Sequence, residues 1–203
     1  LVGDHRWGII RVSERVEHEG ARNFSVAHEL GHRQLGHPTG SVAALCSAPK
    51  ARDRVDRGVE STANAFAAEL LMPARLLRRR CEVSPVSLDP ARAISADFKV
   101  SLMAAALRFV ELTSERCALV FSRKGCVVWA SRSASFVPEN PPGRRLDPQS
   151  VPADWCKGRR MYEGCQPDPG DAGIDHSAAA GVEGWGDSLA IPGFYGVLLL
   201  VLI

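Results

Sequence analysis

His28-Glu29-Leu30-Gly31-His32 reads H-E-x-x-H, and the fold follows from how this stretch is read. On a helix, residues four apart share a face. Two imidazoles stacked there can each offer a ring nitrogen to one zinc ion at about 2.0–2.1 Å. Glu29 then projects beside the metal rather than onto it, where it can take a proton from water that the metal has acidified. Six His and twelve Glu among 203 residues would produce such a motif by chance in about one chain in a hundred. The surroundings favour a helix over 23–35. Phe24, Ala27, Leu30, Gly31 and Leu35 recur at three- and four-residue spacing, Asn23 or Ser25 can cap the start, and Gly36 with Pro38 ends it.

A catalytic zinc needs a third protein ligand and one open position. The extended pattern H-E-x-x-H-x-x-G-x-x-H fails, because its Gly falls at Leu35 and its His at Pro38, with Gly36 and His37 each displaced by one. A Glu from a second helix is the other source. Glu60 opens Val59-Glu60-Ser61-Thr62-Ala63-Asn64 in a predicted helix over 59–71 that Pro73 stops. Asn64, four residues on, stands over the same face and can accept the free ring N–H of a zinc histidine. Glu69, the competing carboxylate, lies two and a half turns from Glu60 and points the other way. The alternative for Glu60 is a first-turn acid that favours the helix dipole. The ligand reading is preferred because the first helix otherwise lacks a partner for its metal.

Working outward, residues 7–12 (WGIIRV) read as a strand rich in β-branched and aromatic residues, and 13–20 as a polar turn. Residues 40–58, small and charged, read as a loop. A helix is expected over 74–80, whose Arg78-Arg79-Arg80 end reads as a solvated, dipole-favourable terminus. Another is expected from Asp89-Pro90 to near Phe98, and a further one capped by Ser101, with Leu102, Ala105, Ala106, Phe109 and Leu112 in one stripe. From Cys117 the texture changes. CALVF and CVVWAS around SRKG predict a β-hairpin, 133–173 is rich in Pro, Gly and charge with little periodicity, and FYGVLLLVLI reads as a buried strand, with a short helix segment as the alternative. The expected fold class is α+β: a zincin-like, mainly helical domain with a small sheet over 1–115, then a smaller strand-containing region over 116–203 with a candidate regulatory role.

Composition is that of an ordinary globular chain: 45% hydrophobic, 24% charged, net charge +2. So small a charge gives no support for a nucleic-acid partner. None of the six cysteines forms a C-x-x-C pair, so zinc ribbons and thioredoxin-type sites lack support. The longest apolar run, 197–203, is far shorter than the roughly 20 residues of a membrane helix. The expectation is a cytoplasmic protein with reduced thiols and no membrane association.

HELGH preceded by Phe24-Ser25-Val26-Ala27, and Glu60 followed by Ala63-Asn64-Ala65-Phe66-Ala67-Ala68-Glu69-Leu70-Leu71-Met72-Pro73, resemble the paired signature of the ImmA/IrrE family of metallo-endopeptidases. The resemblance covers roughly residues 1 to 112 and includes the strand ahead of the first helix and the Phe98-Lys99-Val100-Ser101 junction. It implies a gluzincin-like site with one zinc ion (Zn2+) per chain, His28, His32 and Glu60 as ligands, and Glu29 as the base. It also implies a bacterial or phage cytosolic protease that cleaves a helix-turn-helix transcriptional repressor in stress responses or mobile-element control.

The substrate is expected to lie extended along an edge strand, with Trp7, Ile9 and Ile10 as the candidate contacts. His176, Tyr162 and Tyr195 are available to stabilise an oxyanion, with nothing to rank them. His37 is a candidate for orienting a ligand or capping the helix, while His5 and His18 read as surface residues. Two further functional readings stand beside the protease. The helix pair over 89–113 could be a DNA-binding helix-turn-helix of a regulator, although its second helix carries only Arg108 as a base before Glu111, where a recognition helix needs several contacting side chains. A catalytically silent scaffold is the other, but all four expected site residues are present.

Overall fold

The computed structural model of the chain describes residues 2–3, 8–37, 49–84, 86–136, 142–157, 165–168, 184–191 and 196–202. Trp7, His5, Tyr162, His176 and Tyr195 lie outside these residues. The class is α+β, and the chain forms two compact units, Leu1–Arg75 with Ile94–Ala104 and Leu76–Ala93 with Ala105–Ile203.

In the first unit, strand β1 (Val2–Gly3) pairs antiparallel with β2 (Gly8–Ile9). The strand expected over 7–12 is therefore confined to two residues, and Ile10 and Val12 lie beyond it. Helix α1 (Glu19–Gln34) starts four residues before the expected Asn23. Its cap is His18, in extended backbone, whose Nδ1 accepts from the Ala21 N–H at 3.3 Å. An imidazole does here what Ser, Asn or Asp usually does. Asn23, set inside the helix, donates from Nδ2 to the Lys99 carbonyl instead (2.9 Å), and Ser25 donates back to the Ala21 carbonyl. Gly36, at φ +67, ends the helix in a left-handed turn. Its N–H bonds the Arg33 carbonyl (3.2 Å) and that of His37 bonds the His32 carbonyl (2.8 Å), the two-bond pattern of a Schellman stop.

Helix α2 (Pro49–Leu71) begins ten residues before the expected Val59. Pro49 suits the first helical position. Gly58, taken as loop, lies inside the helix at a cost of about 1 kcal/mol relative to Ala. Small residues bring α1 and α2 together: Ala27, Gly31, Ala63 and Ala67 are all buried, each pair four apart on its helix. A Cβ built on Gly31 would lie 3.1 Å from the Ala63 carbonyl oxygen and from Phe66 Cδ1. Ala is therefore tolerable there only if neighbours give slightly. Gly31→Val should overpack the crossing by roughly 1–3 kcal/mol and splay α1 from α2. Thermal melting with metal titration checks it, and an unchanged melting temperature with unchanged metal affinity would reject Gly31 as the contact that sets the helix spacing.

Helices α3 (Ala74–Cys81), α4 (Asp89–Phe98) and α5 (Leu102–Leu112) fall close to their expected bounds. Ser101 caps α5 as expected, its Oγ accepting from the Ala104 N–H. In the second unit, β3 (Cys117–Arg123) and β4 (Cys126–Arg132) form the expected hairpin. Its two-residue turn, Lys124-Gly125, has φ +53 and +74, the twist that suits paired right-handed strands. Short helix α6 (Val151–Cys156) and strand β5 (Cys165–Asp168) arise inside the Pro- and Gly-rich region of little periodicity, followed by β6 (Gly184–Ile191) and the expected β7 (Gly196–Leu202).

The sheet is antiparallel throughout, in the order β4-β3-β7-β6-β5. Ala118 faces Val201 and Val120 faces Leu199, and these four belong to one buried cluster with Val127, Phe136, Leu146 and Ala153. On the other face Asp187, opposite Leu200, accepts the Leu88 N–H at 2.7 Å, so the segment ahead of α4 lies against the sheet. Burial pushes the Cys81 and Cys117 thiols up to about 11. At neutral pH both stay protonated and act as small apolar residues.

Candidate metal centre

The α1–α2 crossing places the site. His28 and His32 follow Ala27 and Gly31 directly in sequence, so they flank the seam on α1, and Glu60 and Asn64 flank it on α2. His28 Nε2 lies 3.2 Å from Glu60 Oε2, His32 Nε2 lies 3.5 Å from Glu60 Oε1, and the two Nε2 atoms are 2.9 Å apart. Donors held about 2.0–2.1 Å from one tetrahedral cation stand about 3.3 Å from each other, and the three separations bracket that value. Among the described residues His28, His32 and Glu60 form a group able to hold a metal ion, each offering one atom within 4.8 Å of the others.

The chemistry of the donors fits as well. Asn64 Oδ1 accepts from His28 Nδ1 at 2.9 Å, so that in the neutral ring Nε2 keeps its lone pair facing Glu60. A bare imidazole nitrogen beside a carboxylate is repelled by it unless a cation is shared between them. The histidines are largely covered, at 18% and 14% side-chain exposure, whereas Glu60 keeps 56%. Among the described residues the α1 side of the site is the covered one and the Glu60 carboxylate the exposed one.

Glu69 is engaged elsewhere, its Oε1 accepting the Ala74 N–H at the start of α3 (3.1 Å). Glu29 is half-buried next to His28. Ile9 is 48% exposed in β2, and Ile10 lies just past it; neither belongs to the donor cluster. His37 is not a third imidazole ligand: its Nδ1 lies 3.1 Å from His32 Nδ1, on the side of that ring away from Glu60. Thr62, which sequence spacing did not single out, lies 3.2 Å from His37 Nε2 through its Oγ1. The rings of His28 and His32, and of His32 and His37, are near-perpendicular, at 72° and 69°.

Two imidazoles in H-E-x-x-H order and a carboxylate from the next helix, joined across a tight crossing, define a metallopeptidase-type domain. A peptidase-family model described as the IrrE N-terminal-like domain matches residues 2–110, over half of the chain, which thus belongs to the ImmA/IrrE family. No curated protein matches the chain.

Proposed function

We propose that this protein is a zinc-dependent endopeptidase that cleaves a helix-turn-helix transcriptional repressor in the cytoplasm. The observation that carries the enzymatic part is the convergence of His28 Nε2, His32 Nε2 and the Glu60 carboxylate, with Glu29 next to His28 in the sequence. These three residues would hold the zinc, with Asn64 orienting His28. Zinc, when bound, supplies Lewis-acid polarisation and acidifies water towards a pKa of about 7. Glu29 accepts a proton from the attacking water as the new C–O bond forms. It then delivers that proton to the leaving nitrogen as the C–N bond breaks. The short β1–β2 ribbon, with Ile9 exposed, offers an edge along which an extended peptide could add.

The substrate and its place in stress or mobile-element control rest on the family likeness. Cytoplasmic residence is supported by the free thiols of Cys81, Cys117 and Cys126, and no helix among the described residues is long and apolar enough to cross a membrane. The DNA-binding reading of α4 and α5 is disfavoured by Arg108, which is 5% exposed and paired with Glu111 at 2.8 Å, so the base expected to face DNA is already engaged.

The test is to incubate the zinc-loaded protein with purified helix-turn-helix repressors and follow intact masses. Two fragments whose masses sum to the substrate plus one water, formed with zinc and lost with a chelator, support the proposal. Fragments that persist after chelation would overturn the metal mechanism. Tight, salt-sensitive binding to duplex DNA without cleavage would favour the regulator instead.

A further inference from the structure

Beyond the ligands lies a chain of hydrogen bonds that no step of the proposed hydrolysis uses. Gly36 turns the backbone back at the end of α1, and the His37 N–H bonds the His32 carbonyl. The His37 ring thereby sits against the His32 ring, with Nδ1 atoms 3.1 Å apart. Beyond it, His37 Nε2 is 3.2 Å from Thr62 Oγ1, which itself lies 2.9 Å from the Val59 carbonyl and 3.1 Å from that of Gly58.

One direction follows from the far end of this chain, where the Thr62 hydroxyl donates to the Val59 or Gly58 carbonyl, groups that can only accept. Thr62 Oγ1 then accepts from His37, which requires the His37 ring proton on Nε2. His37 Nδ1 is thus a bare acceptor, and the proton between the two rings belongs to His32 Nδ1. His32 Nε2 is left with its lone pair, aimed at His28 Nε2 and Glu60. The reverse polarity would protonate His32 Nε2 and remove it from the donor set.

We propose that His37 and Thr62 are positioning residues that hold His32 in its metal-ligating tautomer, as Asn64 does for His28. The proposal rests on the metal-centre reading of His28, His32 and Glu60. It ties the α1 terminus to α2 through side chains alone, with Thr62 lying between Glu60 and Asn64 in sequence. Each zinc histidine would then be oriented from α2: His28 directly and His32 through one intervening ring. Partners of this kind typically change metal affinity 10- to 100-fold when removed.

The experiment uses the whole chain and two readouts. Zinc affinity is measured by competition with a chromophoric chelator for the wild type and for His37→Ala, His37→Asn, Thr62→Val and His28→Ala. Ring tautomers are read in the metal-free protein from long-range proton–nitrogen spectra of 15N-histidine-labelled samples. The expected result is His32 protonated on Nδ1 in the wild type and a mixture of tautomers in His37→Ala. Zinc binding should weaken 10- to 100-fold in His37→Ala. Recovery is expected in His37→Asn, whose Oδ1 can stand where Nδ1 accepted, and an intermediate loss in Thr62→Val. Melting temperatures of the metal-free variants should stay near wild type, since the Schellman bonds are made by the backbone. A His32 tautomer and zinc affinity unchanged in both His37→Ala and Thr62→Val would overturn the proposal. Failure of the metal-centre reading looks different: the wild type and His28→Ala would bind zinc equally poorly, whatever the tautomers.

Discussion

Glu29→Gln should leave zinc affinity at the wild-type value and cut peptide cleavage by at least about a hundredfold, the lower end of what a positioned general acid–base contributes. The reasoning separates the two halves of the H-E-x-x-H motif. His28, His32 and Glu60 converge on one another through Nε2 and carboxylate atoms, and Glu29 is not among them. Gln keeps the size and hydrogen-bonding shape of Glu but cannot carry a proton from water to a leaving nitrogen. Zinc content by elemental analysis, with cleavage followed on the same samples, checks both halves. Undiminished proteolysis would reject Glu29 as the base. Loss of zinc together with activity would mean that Glu29 supports the metal site rather than the proton transfers.

Replacing Glu60 by Ala is expected to act in the opposite way, on the metal first. A four-ligand zinc site is worth about 10–16 kcal/mol in apparent binding free energy, so one ligand accounts for about 3 kcal/mol, or roughly two orders of magnitude in affinity. The paired control is Glu69→Ala. Glu69 accepts the Ala74 N–H, so its loss should cost about 1 kcal/mol of stability, as for other helix-start acceptors, and leave zinc affinity unchanged. Chelator competition and thermal melting on the two variants distinguish the carboxylates. Equal zinc affinity in Glu60→Ala and wild type would remove Glu60 from the ligand set and leave the histidine pair short of a third protein donor.

The parts of the molecule legible in the sequence are those governed by local rules. The histidine pair follows from four-residue spacing on one helix, Glu60 from the need for a third donor on the next, and Asn64 from its four-residue spacing to Glu60, while the β3–β4 hairpin follows from the apolar runs CALVF and CVVWAS around SRKG. The bounds of α4 and α5 follow from Asp89-Pro90 and Ser101. What escaped depends on partners distant in sequence. β6 (GWGDSLAI) has weak strand propensity and is a strand because β5 and β7 pair with it on either side. β5 carries Pro167, which a ladder tolerates only at an edge, and an edge is where β5 lies. The α1 cap was missed because His18 is an unusual cap residue. The role of Thr62 is visible only once the Schellman turn folds His37 back, since nothing in the Thr62 spacing relates it to His32.

The order of the five-stranded sheet bears on how this protein is made. Its middle strand, Gly196–Leu202, pairs with Cys117–Arg123 on one side and with Gly184–Ile191 on the other. While the ribosome is still adding the residues between, the inner edge of the β3–β4 hairpin has no neighbour, and its unpaired backbone N–H and C=O groups are open to any extended chain nearby. Closure of the second unit therefore waits until residues 196–202 have been made. Helices α1 and α2, which carry all the metal donors, need none of those later residues to meet each other.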